Sequence, residues 1–118
     1  MKRLCFAAAF SLLLPGAALP QTVDVFDGTW TVATRPDTGG CRRPMEFDLV
    51  IEDGAISYGG LWRVDASGTV EPTGAIRLRL QRGDETVTAE GRAAGDKATG
   101  RWTSLTRNCT GSWVARRS

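Results

Sequence analysis

The side chains that could carry acid-base chemistry in this chain are four carboxylates that fall in or beside predicted turns at one end of the fold. They belong to Asp37, Asp65, Asp84 and Glu85. A pair of carboxylates can act as general acid and base. The 118-residue chain contains no histidine, which excludes Ser-His and Cys-His nucleophiles and the usual zinc ligand sets. Because acidic residues in turns usually form turns and caps, we expect no enzymatic activity, no metal and no cofactor.

The residues that could bind a small ligand are aromatic. They are Trp30, Tyr58, Trp62, Trp102 and Trp113. A barrel of eight strands is just wide enough to hold one small ligand, with its site open at the mouth, so inward-facing aromatic side chains would line that cavity. The same indoles could instead fill the interior. For so short a barrel, a filled core is the interpretation we favour.

A second candidate site is a rim of arginines. Residues 35–44 form the longest predicted loop, which contains Arg35, Arg42 and Arg43, and a disulfide would join it to a loop that contains Arg107. A constrained rim of this kind could contact a protein, a polysaccharide or an acidic group. A solvated loop held by a disulfide is the alternative interpretation.

The first eighteen residues have the three parts of a secretory signal peptide: Lys2 and Arg3, an apolar run over 4–14, and small residues at 16–18. The apolar run is too short to span a bilayer. We predict cleavage near Ala18, with a slightly later cut as the alternative. Residues 19–118 would then form a single domain that is periplasmic or secreted and is not inserted in a membrane.

Removal of the leader changes the charge and leaves two cysteines. Thirteen basic residues then balance thirteen acidic ones, so the charge gives no reason to expect nucleic acid as a partner. We expect a monomer whose partner is an unknown protein or a small apolar ligand. Cys41 and Cys109 remain after cleavage, and an oxidising compartment favours one disulfide between them.

From residue 26 onward, alternation of period two recurs between glycine-bearing turns, and no segment has helical periodicity. The predicted strands are Phe26–Arg35, Glu46–Glu52, Ala55–Val64, Thr69–Glu71, Ala75–Arg82, Glu85–Ala93, Lys97–Ser104 and Cys109–Arg116. Asp53-Gly54 and Gly83-Asp84 are typical two-residue hairpin turns, and Ser67-Gly68 is a further candidate turn. We predict an all-β fold, a small antiparallel up-and-down β-barrel of about eight strands, with a partly open β-sandwich as the alternative.

Each turn predicts the register of the two strands that it joins. The predicted inward pairs are Leu49 with Tyr58, Ile51 with Ile56, Leu78 with Ala89, Ala89 with Trp102, and Trp102 with Trp113. The last pair depends on a two-residue turn at Arg107-Asn108. Closure of the barrel would bring the loop after the first strand and the loop before the last strand to one end, where Cys41 and Cys109 lie.

The unit Gly28-Thr29-Trp30, at the start of the first predicted strand, resembles the first-strand Gly-x-Trp of the calycins, the superfamily of lipocalin, avidin and bacterial metalloprotease-inhibitor barrels. In that superfamily a basic residue near the end of the last strand covers the tryptophan. The resemblance implies that Arg116 or Arg117 does so here, and the alternation favours Arg117. It also underlies one functional expectation, a small-ligand carrier that binds inside the barrel.

The mature chain as a whole resembles an uncharacterised group of small exported bacterial β-barrel proteins. The resemblance is carried by Asp27-Gly28-Thr29-Trp30, Cys41, Val70-Glu71-Pro72-Thr73-Gly74-Ala75, Gly100-Arg101-Trp102 and Cys109-Thr110-Gly111-Ser112-Trp113. It implies export and a barrel, and it implies no activity. Our first functional expectation is therefore a non-enzymatic, protein-directed binding module, such as an inhibitor of an envelope hydrolase or an adaptor, with the carrier as the alternative.

Overall fold

A computed structural model describes residues 24–38, 41 and 43–118. The predicted signal peptide over residues 1–18 and the candidate rim residue Arg42 lie outside the described residues. No helix of the described residues is long and apolar enough to cross a membrane.

Eight antiparallel strands form one sheet that closes on itself. They are β1 (Gly28–Thr38), β2 (Glu46–Glu52), β3 (Ala55–Tyr58), β4 (Asp65–Val70), β5 (Ala75–Arg82), β6 (Glu85–Ala94), β7 (Lys97–Ser104) and β8 (Cys109–Arg117). Each strand pairs with the next along the chain, and β8 pairs with β1. The predicted up-and-down barrel is confirmed, and the open β-sandwich is excluded.

Most of the predicted register is confirmed. The inward pairs observed as predicted are Leu49 with Tyr58, Ile51 with Ile56, Leu78 with Ala89, and Ala89 with Trp102. In the turn between β2 and β3, Asp53 and Gly54 both have positive φ, 52° and 78°, as a tight hairpin turn of this type requires. The tight turns between these strands therefore determine which side chains face the interior of the barrel.

The predicted pairing of Trp102 with Trp113 is wrong, because the loop between β7 and β8 has four residues, not two. Ser104 pairs with Cys109, and residues 105–108 form the turn. The Ser104 hydroxyl accepts a hydrogen bond from the Arg107 N–H at 3.1 Å, and Asn108 takes the left-handed conformation at φ 55°. Trp102 consequently lies opposite Gly111, and Trp113 lies opposite Gly100.

The third and fourth strands also differ from the prediction. β3 ends at Tyr58, six residues earlier than predicted, and β4 begins at Asp65 and contains the Ser67-Gly68 pair that we had interpreted as a turn. Gly68 lies opposite Leu78, where a Cβ would collide with the backbone carbonyl of Arg77. Glycine is therefore needed at this position because β4 and β5 approach closely there, not because the chain turns.

The disulfide joins Cys41 to Cys109, as predicted, with 5.9 Å between their Cα atoms. Cys109 begins β8, and Cys41 follows β1 in the chain. Because β1 and β8 are the two strands that close the barrel, the disulfide links the loops at one end of the closing seam.

Candidate ligand cavity

The end of the barrel opposite the disulfide has a packed floor. Trp30 is only 2% exposed there, and its Nε1 donates a hydrogen bond to the Phe26 carbonyl at 2.8 Å. Other buried inward side chains at this end are Ile51, Ile56, Val70, Ile76, Ala93, Ala98 and Ala115. The barrel is closed at this end.

Arg117 covers Trp30 from the outside of the floor. Its guanidinium carbon lies 5.1 Å from the centre of the Trp30 ring. One nitrogen, Nη1, donates to the carbonyls of Val25 and Asp27 at 3.0 and 2.9 Å, and Nη2 lies 2.7 Å from the Asp96 carboxylate. The alternation along β8 favoured Arg117 over Arg116 as the residue that covers Trp30.

Trp102 and Trp113 lie against the barrel wall rather than across its interior. Trp113 pairs with Gly100, and Trp102 pairs with Gly111. A Cβ at Gly100 would come within 2.6 Å of Trp113 Cζ2, and one at Gly111 within 2.5 Å of Trp102 Cζ2. Their indole N–H groups donate to wall carbonyls, Trp102 to Ser112 and Trp113 to Arg101, at 3.1 and 3.2 Å. Glycine thus makes room for each ring to lie flat over the neighbouring strand.

The interior above the floor contains a cavity of about 330 Å³. Its wall is formed largely by inward side chains of β2 to β7, among them Phe47, Leu78, Leu80, Val87 and Ala89. The filled core that we favoured from the sequence is therefore wrong. The indoles did not fill the space because their rings follow the wall.

The cavity opens at the disulfide end, which we call the mouth. Phe47, Tyr58, Leu80 and Val87 point inward near this end but are only partly buried, whereas the inward residues of the floor are buried. Loops 43–45, 59–64, 83–84 and 105–108 surround the opening. A ligand could enter here without unfolding the barrel.

The five aromatic residues predicted to line the cavity occupy three different levels. Trp30 belongs to the floor, and Tyr58, Trp102 and Trp113 belong to the wall. Trp62 also lines the cavity, but it does so from the loop after the shortened β3, where it is 68% exposed at the mouth. The early end of β3 at Gly59-Gly60 accounts for this difference.

The predicted arginine rim is not one continuous basic surface. Arg35 is exposed and alternates with the inward-facing Thr34, so it lies on the outer wall. Arg107 is 3.4 Å from Glu85 in an ion pair. Arg43 does lie at the mouth and lines the cavity. Only part of the predicted rim therefore borders the opening.

One charged residue of the mouth was missed by the sequence analysis. Arg82 follows Leu78 and Leu80 on the inward row of β5 and lines the cavity. Its guanidinium carbon lies 5.4 Å from the centre of the Trp62 ring. Extending the alternation of β5 by two residues would have placed this arginine at the opening.

Two of the four carboxylates considered for catalysis are held in ion pairs. Asp37 is 2.7 Å from Arg101 on the outer wall, and Glu85 pairs with Arg107 at the mouth. Within residues 24–38, 41 and 43–118, no group of three or more His, Cys, Asp or Glu side chains could hold a metal ion.

No family model, curated protein or solved structure matches this chain. The resemblance to calycins and to small exported bacterial proteins stays a prediction.

Proposed function

We propose that the mature chain is an exported carrier of a small, largely apolar ligand that binds inside the barrel. The observation that carries this proposal is the cavity of about 330 Å³ above a packed floor. Small-molecule sites in proteins are concave, mostly apolar and roughly 300 to 1,000 Å³ in volume. This cavity has that character and lies near the lower end of the size range.

The rigidity of the wall supports the same function. Eight strands pair in a closed ring around the cavity, and a preformed site loses little conformational entropy on binding. The disulfide adds a covalent link at the mouth. An apolar ligand would gain the free energy of leaving water and would not have to open the fold.

A fluorescence titration with uncharged N-phenylnaphthylamine tests the proposal. We expect saturable binding to the mature protein, and loss of at least tenfold in affinity in Ala89→Phe. Ala89 lies between Leu78 and Trp102 on the cavity wall, so a phenyl ring there would occupy the space.

The matched control for this variant is Thr88→Phe, which places the same ring on the outer face of the same strand. It is expected to bind the probe as the unchanged protein does. Thermal unfolding should show both variants folded: Ala89→Phe fills a cavity, which tends to preserve or raise stability, and Thr88→Phe is a surface substitution with a small effect. Absence of saturable binding, or equal binding by Ala89→Phe, would contradict the carrier.

Our first sequence-based expectation, a protein-directed module, remains a second candidate because of one observation. Met45, Leu61 and Leu105 are exposed on loops around the mouth, and exposed apolar residues that cluster can mark a protein interface. Charge reversal at Arg43 and Arg107 should then abolish capture of a partner from an envelope extract without changing the unfolding temperature. Unchanged capture would remove this candidate.

Export is part of the proposal. The disulfide fits a location outside the cytoplasm, and we propose that removal of residues 1–18 delivers the chain to the periplasm or the medium. N-terminal sequencing of the exported protein is expected to begin at Leu19. A chain that is recovered intact from the cytosol would contradict this step.

A further inference from the structure

Polar groups are distributed unevenly along the axis of the cavity. In the deep part, all three indole N–H groups already donate to backbone carbonyls, those of Phe26, Ser112 and Arg101. Nearer the mouth, the buried Ser104 hydroxyl accepts a hydrogen bond from the Arg107 N–H. The remaining deep lining is aliphatic or alanine. A polar ligand placed there would lose its hydrogen bonds to water without replacement, at a large cost, so the deep part suits hydrocarbon.

The mouth, in contrast, contains polar side chains that have no ionic or hydrogen-bonding partner in the described residues, although Arg82 lies over the Trp62 ring. Within the described residues, the Arg82 and Arg43 guanidinium groups make no ion pair, and the Tyr58 hydroxyl makes no hydrogen bond. Tyr58 and Arg82 both belong to inward rows, at the ends of β3 and β5. These groups are available to a ligand at the opening.

The acidic groups of the mouth form no ion pair with Arg82 or Arg43 within the described residues. Glu85 is the inward carboxylate opposite Arg82, but it is engaged by Arg107. Glu46 borders the cavity, yet it is exposed and alternates with the inward-facing Phe47, which directs its side chain away from the interior. Arg82 and Arg43 are therefore mouth arginines that no carboxylate of the described residues binds, with Asp84 an exposed carboxylate in the turn that follows Arg82.

We infer that the ligand is a single-chain amphiphile with an anionic headgroup. Its hydrocarbon chain occupies the cavity, and its headgroup is bound at the mouth by Arg82 together with Arg43. The inference rests on the carrier function proposed above. Arginine binds carboxylate and phosphate with paired, charge-assisted hydrogen bonds. A volume of about 330 Å³ is close to the minimum for small-molecule sites, which favours one chain rather than two.

Calorimetric titration with matched ligands, each below its micelle concentration, tests the headgroup. The ligands are a fatty acid, the alcohol and the alkyl trimethylammonium of equal chain length, and the corresponding alkyl phosphate. We expect the two anions to bind at least tenfold more tightly than the alcohol, since a hydrogen bond to a charged group changes affinity by about that factor or more. Tighter binding of the phosphate would indicate a lysophospholipid source, and tighter binding of the carboxylate a free fatty acid.

The chain and the arginine are tested separately. Affinity should rise by up to about fourfold for each added methylene until the cavity is full, and then stop rising. Arg82→Gln should weaken binding of the fatty acid tenfold or more and leave the alcohol unchanged, and Arg82→Lys should recover part of the loss. The control is Arg79→Gln, on the exposed outer face of the same strand, which should bind as the unchanged protein does.

The failures of the two proposals are distinguishable. If the alcohol binds as tightly as the anions, or if Arg82→Gln has no effect, the headgroup inference is overturned and the carrier stands. If the ammonium binds best, the mouth selects a cation and the inference is likewise overturned. If neither these amphiphiles nor the uncharged probe binds, the carrier function itself fails.

Discussion

Replacement of Arg117 by alanine tests how the floor of the barrel is held. Arg117 lies near the C-terminal end of β8, and its guanidinium connects three segments: the Trp30 ring, the 95–96 turn, and the chain before β1. Among the described residues, Arg117 is the cation that lies over that ring. We therefore expect Arg117→Ala to destabilise the whole domain, not only its last strand.

The size of the effect follows from the individual contacts. The arginine side chain is 21% exposed, so its stacking over Trp30 should contribute about 1 to 2 kcal/mol. Asp96 is 77% exposed, and an ion pair to so exposed a group contributes at most about 1 kcal/mol. The hydrogen bonds to Val25 and Asp27 add about 1 kcal/mol, because water replaces them in the variant. The expected loss in the free energy of unfolding is about 3 kcal/mol.

Urea unfolding followed by tryptophan fluorescence measures this loss. Arg116→Ala is the matched control, because Arg116 is the adjacent arginine on the exposed outer face of β8 and should change the free energy of unfolding by less than about 0.5 kcal/mol. Arg117→Lys keeps the charge but loses the planar fork, so it should recover less than half of the stability. Equal effects of Arg117→Ala and Arg116→Ala would refute the reasoning, as would full recovery by lysine.

Three further predictions concern stability elsewhere in the barrel. Gly100→Ala should lower the free energy of unfolding by about 1 to 3 kcal/mol in the same urea assay. The reason is that the new Cβ would collide with the Glu90 carbonyl and approach Trp113. An unchanged urea midpoint would contradict the close packing of Trp113 over Gly100. A Cys41→Ser, Cys109→Ser double variant removes a covalent link across 68 residues. Its free energy of unfolding should fall by about 4 kcal/mol, because the unfolded chain gains loop entropy, and its thermal midpoint should fall accordingly. A midpoint equal to that of the oxidised protein would show that the disulfide does not stabilise the fold. Asp27→Ala should speed hydrogen exchange at residues 53 and 54, whose amides donate to the Asp27 carboxylate at 2.9 and 3.3 Å, and unchanged exchange would show that the cap contributes little.

The sequence was most informative where tight turns and alternation agree. Asp53-Gly54 allows only a narrow set of turn conformations, and the observed pairing of β2 with β3 follows directly from it. The same reasoning held for the turn at 83–84 and for β6 with β7. In these hairpins a register error of one residue would have placed charges inside, so the pattern itself tests the assignment.

The loop between β7 and β8 shows where this reasoning fails. The predicted and the observed registers differ by two residues, and a shift of two leaves every side chain on the same face of the sheet. Alternation therefore cannot detect the error. The four-residue turn depends on a hydrogen bond to the Ser104 hydroxyl and on the positive φ of Asn108, details that the residue types permit but do not require.

The candidate site was accordingly predicted in part. Alternation identified Trp30, Tyr58, Trp102 and Trp113 as inward residues, and all four border the cavity. Trp62 also borders the cavity, but from a loop rather than from the predicted strand, because β3 ends at Tyr58. β3 and β4 share a single paired position, Ala55 with Thr69. No local signal in the sequence specifies that β3 ends at Tyr58.

The length of the 105–108 loop also bears on whether the barrel is hollow. With a two-residue turn, Trp102 would lie beside Trp113, and two indoles side by side on one inward row could not both lie flat over a glycine. With the observed four-residue turn, each ring covers the glycine of the neighbouring strand, Gly100 or Gly111. In the Gly-x-Trp units of β7 and β8, the glycine of each strand therefore makes room for the tryptophan of the other strand. Because the rings are accommodated within the wall, the space along the axis is left as a cavity.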